Sequence, residues 1–162
     1  MNIWSANNTL AHTLTQHTAA VKALAWCPWQ PSLLATGGGS ADHHIRFWNS
    51  SNGACVSSVD AQSQVSGLLW NREHHELVSS HGYAQNQLTL WKYPSMTKVA
   101  EIGRPENNNG RVFNMAMSPD AQTVVAACGD ETLRFFKCFA SDNASKKSKP
   151  AATSSRLTAM IR

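Results

Sequence analysis

Three segments of the chain repeat one order of short apolar runs, and this internal repeat limits most strongly how the chain can fold. Each repeat has runs of strand length, bounded by Gly, Ser, Asn or Asp, which favour turns. The closing aromatic residues Trp48, Trp91 and Phe136 follow one another at intervals of 43 and 45 residues. The runs lie at 21–26, 33–37 and 45–48, then at 65–70, 76–80 and 87–91, then at 112–117, 123–127 and 133–136.

A period of about 40–45 residues that closes on a tryptophan is typical of a WD-type β-propeller, in which each repeat forms one four-stranded blade. Successive side chains of a strand point to opposite faces of the sheet, and both faces of a blade meet neighbouring blades. The sequence therefore predicts an all-β propeller. The strands of its first repeat are expected near Val21–Trp26, 33–37, 45–48 and 55–59, with equivalents in the next two repeats.

Polar residues mark the turns that lead into the third strands. Asp42 and Asp130 each stand three residues before such a strand, where a carboxylate can accept backbone N–H bonds and fix a tight turn. Gln85 holds this place in the second repeat and predicts a looser turn. We expect His17, which precedes the first repeat, to be a buried partner in a polar network ending at Trp48. A catalytic or ligand-binding role for this histidine is the alternative.

The repeats divide the chain into three predicted regions. Residues 1–16 are expected to be the last strands of a preceding blade, 17–136 three blades, and 137–162 a disordered basic tail that ends in Ile-Arg. The blade boundaries are placed at 17–60, 61–104 and 105–136. Because closed propellers have about four to eight blades, three blades predict part of a larger ring.

An open ring should leave apolar surface and an unpaired strand at its ends. No fourth strand is evident after Phe136, so the third blade is expected to present a free edge. Segment 10–14 is a candidate to pair with that edge, either within the same chain or in a neighbouring one. The apolar residues expected to be exposed include Phe113, Met115, Leu133 and Phe135.

Charge is unevenly distributed along the chain. Residues 1–136 carry 8 basic and 9 acidic side chains, whereas residues 137–162 carry 6 basic side chains and one acidic. Segment 140–155 is rich in Ser, Lys, Ala and Asn with almost no apolar anchor, which predicts disorder. We expect this segment to be a solvated linker. The alternative is a basic arm that binds an acidic surface of a protein or a nucleic acid. Binding to nucleic acid is the less favoured of these interpretations.

Several function classes find no support in the residues. The pairs His43-His44 and His74-His75 point apart on a strand or turn, and no Cys/His spacing fits a zinc site, so no metal or other cofactor is expected. Gly37 to Gly39 lack the Lys-Ser/Thr of a phosphate loop. No nucleophile–base pair is evident, and no signal peptide or membrane-length apolar run appears, so we expect a soluble intracellular protein that is not an enzyme. The cysteines, expected to be free thiols in a reducing compartment, are Cys27, Cys55, Cys128 and Cys138.

Several strings go beyond a generic propeller. They are Trp-Cys-Pro-Trp at 26–29, His-Gly-Tyr-Ala-Gln-Asn-Gln at 81–87, Asp-Glu-Thr-Leu-Arg at 130–134, and the final pair Ile161-Arg162. Over residues 10–138 and the last two positions, the chain resembles the C-terminal part of the Fizzy family. Members of this family are activator and substrate-receptor subunits of the anaphase-promoting complex, a ubiquitin ligase of the cell cycle. The strings at 53–55 and 60–65 resemble the mitotic, Fizzy-proper branch more than the Fizzy-related branch.

The resemblance implies a seven-bladed propeller that recruits substrates through short degron peptides. Ser40, Gln64 and Arg111 match positions that contact a Lys-Glu-Asn degron on the top face. Glu131, with Asp130 beside it, matches the acidic site for the arginine of a destruction box, which docks between the first and last blades. For Asp130, the role of a structural turn residue is the alternative.

The resemblance also implies partners and a location. Ile161 and Arg162 match the C-terminal pair that docks into a repeat subunit of the ligase. Substrates would be degron-bearing proteins such as cyclins, with spindle-checkpoint proteins as further partners, in the nucleus and cytoplasm and away from membranes. The alternative interpretation is a generic propeller scaffold for protein interactions, without a ligase role. Phe136, in place of the usual tryptophan, and Gly129 depart from the family pattern.

Overall fold

The computed structural model describes residues 1–82, 87–103, 110–139 and 154–155, and the described part of the chain is built from β-strands and turns without a helix. None of the described segments is a helix long and apolar enough to cross a membrane. The strands are β1 (Asn2–Trp4), β2 (Leu10–Thr13), β3 (Val21–Trp26), β4 (Leu33–Gly38), β5 (His44–Asn49), β6 (Ala54–Asp60), β7 (Gln64–Asn71), β8 (Glu76–Gly82), β9 (Leu88–Lys92), β10 (Thr97–Ile102), β11 (Val112–Met117), β12 (Thr123–Cys128), β13 (Leu133–Lys137) and β14 (Ser154–Ser155).

The strands form three antiparallel four-stranded sheets and one two-stranded sheet. The orders are β3-β4-β5-β6 in blade 1, β7-β8-β9-β10 in blade 2, β11-β12-β13-β14 in blade 3, and β1-β2. Each blade is thus an up-and-down meander whose strands follow chain order, as in a propeller. The predicted fold class is confirmed, and the four strands predicted for the first repeat coincide with β3 to β6 to within one residue at each end.

The blades pack face to face through two apolar layers. The layer between blades 1 and 2 contains Phe47 from β5 and Leu77 from β8, both fully buried. The layer between blades 2 and 3 contains Val78 and Leu90 from blade 2 and Val124 from blade 3. Neighbouring residues of one strand, such as Leu77 and Val78, therefore enter different layers, which explains why the strands read as continuous apolar runs.

The polar network predicted around His17 is confirmed. Trp48 donates its indole N–H to Thr36 Oγ1 at 2.8 Å, and Thr36 Oγ1 lies 2.6 Å from His17 Nε2. His17 Nδ1 faces Asp42 Oδ2 at 2.5 Å, which fixes this nitrogen as the donor of a neutral ring. Burial would raise the pKa of Asp42, but hydrogen bonds from His17, Arg46 and Thr18 outweigh it, so the pKa lies well below its usual range. The Thr18 N–H bond to Asp42, 3.1 Å long, ties down the turn as predicted.

The second blade builds the corresponding network with a different histidine. Trp91 donates to Ser79 Oγ at 2.8 Å, and this hydroxyl lies 2.7 Å from Nε2 of His81, two residues along the same strand. The position equivalent to His81 in blade 1 is Gly38, where a Cβ would lie only 1.8 Å from Asp42 Oδ2. The imidazole ring of His81 in blade 2 therefore occupies the space that the Asp42 carboxylate fills in blade 1. Gln85, which predicted a looser turn there, lies outside the described residues.

The β1-β2 hairpin covers part of the face of blade 1 that points away from blade 2. Leu14, which follows β2, is buried with Leu34 and Trp48, and Ile3 of β1 packs against this cluster. This is the position that the two outer strands of a preceding blade would take. The candidate pairing of segment 10–14 with the edge of blade 3 is wrong within the chain, because β2 pairs with β1.

The edge of blade 3 is paired by the tail instead. Ser154 and Ser155 form β14 opposite Phe136 and Phe135 of β13. The expectation that blade 3 lacks a fourth strand is therefore wrong, whereas the disorder predicted for segment 140–155 stays a prediction. A sheet edge offers unpaired backbone groups to any extended segment, and the sequence pattern did not reveal which segment would take them. The rest of that segment, 140–153, lies outside the described residues.

Candidate peptide-binding site

The candidate site residues gather at one end of the blades. The first strands of the three blades, β3, β7 and β11, lie side by side and begin at this end. The turn that connects the second and third strands of each blade lies at the same end. Gln64 opens β7 and Arg111 precedes β11. Ser40 lies on the turn between β4 and β5, and Glu131 on the equivalent turn of blade 3. Propeller topology therefore brings positions that are far apart in sequence to one surface.

Gln64 and Arg111 are in direct contact across the junction of blades 2 and 3. Arg111 donates a 2.7 Å hydrogen bond from Nη2 to Gln64 Oε1, and the Gln64 side chain is buried. Gly82, at the end of β8, leaves the space for this contact, since a Cβ there would lie 3.1 Å from both Arg111 Nε and Gln64 Oε1. A half-buried guanidinium that is held by an amide oxygen can form stronger hydrogen bonds to a carboxylate than a guanidinium in bulk water can.

Asp130 is engaged within its own blade. Its carboxylate accepts hydrogen bonds from the Thr132 hydroxyl at 2.6 Å, from the Thr132 backbone N–H at 3.3 Å, and from Arg134 Nη2. Burial would raise the pKa of Asp130, but these bonds outweigh it and leave the pKa below its ordinary value. Asp130 therefore fixes the turn into β13, as Asp42 does in blade 1.

Glu131 is the more accessible of the two acids assigned to the destruction-box arginine. It is exposed, and its backbone lies in the left-handed region with φ of 62°. Its N–H donates to the Cys128 carbonyl at 3.1 Å, which closes the turn and directs the residue outward. The geometry thus separates a structural acid, Asp130, from an acid that faces solvent.

The remaining assigned residues stand apart from this pair. Ser40 is exposed on blade 1, and its turn is fixed by the Asp42 N–H bond to the Gly39 carbonyl at 3.0 Å. It shares the end of the molecule with Gln64 and Arg111 but belongs to a different blade. Ile161 and Arg162, assigned to ligase docking, lie outside the described residues.

Sequence reasoning missed one residue beside the site. Phe113 was expected only as exposed apolar surface, and it is 61% exposed, but its ring also lies beneath the Arg111 guanidinium, with 5.8 Å from Cζ to the ring centroid. The signal lies in the strand register. β3, β7 and β11 each have a register shift close to their first residue, and Phe113 holds the position that Lys22 and Ser66 hold in the other blades.

The face of blade 3 that points away from blade 2 carries an apolar hollow of about 140 Å³. Val125, Ala127 and Leu133 line it, and Phe135 on the same face is 39% exposed. The expected exposure of Phe113 and Phe135 is therefore confirmed, whereas Met115 and Leu133 are only half-exposed. Leu133, which lines the hollow, follows Glu131 by two residues, so blade 3 offers both an apolar surface and an accessible carboxylate to a peptide with aliphatic and basic side chains.

Within the described ranges, no group of three or more His, Cys, Asp or Glu side chains is placed to hold a metal ion. The adjacent histidines do point apart: His75 stacks on Trp29 with centroids 4.5 Å apart, and His74 stacks on Phe139 at 5.2 Å.

Comparison with known proteins places this arrangement in context. Residues 8–49 match the sequence profile of the WD domain, G-beta repeat. The chain is 53% identical to the anaphase-promoting complex subunit cdc20 of Dictyostelium discoideum, over 97% of this chain and 32% of that protein. It is 54% identical to cell division cycle 20.1, cofactor of APC complex, of Arabidopsis thaliana, over 95% of this chain and 35% of that protein. It is also 56% identical to protein FIZZY-RELATED 3 of Arabidopsis thaliana, over 79% of this chain and 26% of that protein.

A solved structure agrees with these relatives. The chain superposes on a chain of the crystal structure of the mitotic checkpoint complex with a TM-score of 0.79 and 44% identity, covering 86% of this chain and 43% of that one. The chain spans about a third of the length of these Dictyostelium and Arabidopsis cdc20-type relatives. The resemblance drawn from the sequence strings is confirmed.

Proposed function

We propose that this chain, which is homologous to the C-terminal part of the Fizzy family, is a non-enzymatic adaptor that brings degron-bearing substrates to the anaphase-promoting complex. Its relatives are named as a subunit and as cofactors of that complex. The observation that carries the proposal is the contact between Arg111 and Gln64 at the exposed end of blades 2 and 3.

A Lys-Glu-Asn degron offers an ammonium, a carboxylate and an amide. The Arg111 fork suits the carboxylate, because guanidinium and carboxylate form charge-assisted bonds of matching geometry. Ser40, which is exposed, supplies a hydroxyl to one of the other two side chains, whereas the buried amide of Gln64 acts by holding the Arg111 guanidinium. The Gln64 bond supports this role, because a guanidinium that is already oriented loses less side-chain freedom when a ligand binds.

A destruction-box peptide combines a basic residue with aliphatic residues. In our proposal, Glu131 receives its arginine, and the apolar hollow at Val125 and Leu133 receives an aliphatic side chain. Asp130 acts indirectly by holding the turn that carries Glu131. This division of labour adopts the alternative role of Asp130 as a structural turn residue and keeps Glu131 as the acid that contacts the ligand.

The C-terminal pair Ile161-Arg162 is proposed as the element that docks on the ligase. Ile161 would fill an apolar pocket, Arg162 would pair with acids, and the free carboxylate would be held by donors. Cyclins as substrates, spindle-checkpoint proteins as partners, and a location in the nucleus and cytoplasm belong to the same proposal. The matched structure, which is of a mitotic checkpoint complex, supports a checkpoint partner.

Co-purification with the isolated anaphase-promoting complex tests the proposal. The full chain should be retained by the immobilised complex, and a variant lacking Ile161 and Arg162 should be lost while its circular dichroism stays unchanged. A variant in which Ala151 and Ala152 are deleted instead is the matched control for a two-residue change in the tail. Equal retention of the chain without Ile161 and Arg162 would contradict the docking role. Failure of the full chain to be retained would contradict the adaptor function itself.

A further inference from the structure

We propose that Phe113 is a positioning residue of the peptide-binding site, whose ring holds the Arg111 guanidinium in the orientation that receives a peptide carboxylate. This inference deepens the proposed function and rests on it. It assigns a role to an exposed aromatic residue that packing does not explain, since 61% of Phe113 is accessible to solvent.

The contact between the two side chains has the geometry of a cation–π pair. Arg111 Cζ lies 5.8 Å from the centroid of the Phe113 ring. A guanidinium within about 6 Å of a ring centroid is attracted by the negative face of the ring. Because Gln64 holds Nη2 from the other blade, Arg111 is fixed by two groups of different chemistry, an amide oxygen and an aromatic face.

The backbone of β11 accounts for the position of the ring. The register with β12 runs from Val112 opposite Cys128 directly to Asn114 opposite Ala127, so Phe113 is the extra residue of a β-bulge. A bulge bends the strand and turns a side chain away from the regular alternation. In blade 2 the residue at this position is Ser66, whose hydroxyl lies 2.9 Å from that of Ser80. The position therefore accepts a small polar residue, and blade 3 has an aromatic one.

Gly129, which follows β12, leaves the space that the Phe113 ring occupies. A Cβ at this residue would lie 3.2 Å from Cε2 and 3.3 Å from Cζ of the Phe113 ring, closer than ordinary contact. The Gly129 N–H also donates to the Arg111 carbonyl at 2.8 Å. The same residue thus leaves room for the ring and anchors the backbone of Arg111, so Arg111, Phe113 and Gly129 form one unit.

Peptide titration of the full chain with conservative variants tests the role. Phe113→Leu keeps apolar bulk but removes the aromatic face, and Phe113→Tyr keeps the face. Isothermal titration with a peptide containing Lys-Glu-Asn should show affinity reduced about two- to fivefold in Phe113→Leu and retained in Phe113→Tyr. With a Lys-Gln-Asn peptide, which lacks the carboxylate, wild type and Phe113→Leu should bind alike. A purely structural role would instead weaken both peptides equally.

A second measurement follows the contact itself. In the wild-type chain, the side-chain protons of Arg111 should show a ring-current shift by NMR, which Phe113→Leu removes and Phe113→Tyr preserves. Equal affinity of wild type and Phe113→Leu for the Lys-Glu-Asn peptide would overturn the positioning role while leaving the proposed function intact. A wild-type chain that binds neither peptide would overturn the proposed function and, with it, the role of Phe113.

Discussion

Trp48 donates its indole N–H to the hydroxyl of Thr36, and both side chains are almost completely buried. Trp91 and Ser79 repeat this pair in blade 2. In blade 3 the strand register places Phe136 and Ala126 at the two positions, so the donor and the acceptor are both absent. Replacing both partners by apolar groups leaves no buried polar atom unsatisfied, which explains how blade 3 tolerates the missing tryptophan.

The first prediction concerns the acceptor in blade 1. Thr36→Val preserves shape but removes the oxygen that contacts Trp48 Nε1 and His17 Nε2. Leaving these buried groups without a partner should lower the free energy of unfolding by about 1–3 kcal/mol. Urea unfolding followed by tryptophan fluorescence measures the change. Val125→Thr, the reverse exchange on the half-exposed outer face of blade 3, is the matched control and should stay within about 0.5 kcal/mol of wild type. Equal stability of Thr36→Val and wild type would contradict the network's contribution.

The second prediction concerns pH. The pKa of His81 is lowered to about 4, chiefly by burial and also by the charge of Lys98, while Glu101 and the backbone of Gln64 act in the opposite direction. In the unfolded chain a histidine titrates near about 6.5. Between these values the unfolded chain binds one more proton than the folded chain, so stability is full above pH 6.5 and declines towards pH 4. The slope for this group should be about 1.4 kcal/mol per pH unit.

NMR titration of the His81 ring measures this directly, and unfolding at pH 4 to 7 measures the linkage. His81→Gln should remove the contribution of this one proton, about 1.4 kcal/mol per pH unit, from the dependence of the unfolding free energy on pH. His17, whose pKa is lowered by burial despite its bond to Asp42, should keep its own share. A His81 ring that titrates near 6.5 in the folded protein would contradict this prediction.

The sequence predicted the architecture because blade strands alternate between two apolar layers and recur with a fixed period. It also predicted the network of blade 1, because His17 and Asp42 stand at positions set by that period. It did not predict His81 in blade 2, because the second repeat has Ala61 at the place of His17 and its histidine comes from within the strand. Strand spacing shows which positions face one another, but it does not show which side chain fills the space between them.

The functional site was predictable to a similar extent. Gln64 and Arg111 were assigned by resemblance, and their direct contact follows from the adjacency of β7 and β11. The part played by Phe113 depends on a bulge, and a bulge adds a residue without altering the apolar pattern. The tail strand β14 was missed because Ser154 and Ser155 carry no strand-like pattern of their own.

A third prediction concerns the two adjacent histidines of the β7–β8 turn. His75 stacks on Trp29 of blade 1, and His74 stacks on Phe139, which follows blade 3. One dipeptide of blade 2 therefore contacts both neighbouring blades. His74→Ala and His75→Ala should each lower the free energy of unfolding by about 0.5–1.5 kcal/mol. Glu73→Ala, an exposed position of the same turn, is the control. A double variant no less stable than Glu73→Ala would show that the stacks do not join the blades.

The fourth prediction concerns Arg111. Arg111→Ala removes the guanidinium and should weaken a Lys-Glu-Asn peptide by about 1.5–3 kcal/mol, the contribution of a hydrogen bond to a charged group. Arg72→Ala makes the same change of charge on the exposed turn at the opposite end of blade 2 and should leave the affinity unchanged. Isothermal titration of the full chain provides both values. If the two variants bind equally, general electrostatics rather than this site attracts the peptide.

The last prediction concerns the two outermost apolar faces. Leu24 and Trp26 of β3 are 60% and 54% exposed on the side of blade 1 that the β1-β2 hairpin leaves uncovered. The apolar hollow of blade 3, lined by Val125 and Leu133, lies on the opposite face. We expect the isolated chain to self-associate by placing the first face of one copy on the second face of another, an arrangement that does not close on itself.

Sedimentation velocity should therefore show a concentration-dependent series of species that also binds a hydrophobic dye. Trp26→Glu and Leu133→Glu should each abolish the series alone, because each removes one of the two faces. An equimolar mixture of these two variants should form only dimers, since one intact face of each kind remains. Val56→Glu, an exposed position on the outer strand β6, is the control and should leave the series unchanged. A compact wild-type monomer with a sharp cooperative melt would show that the exposed faces do not drive association.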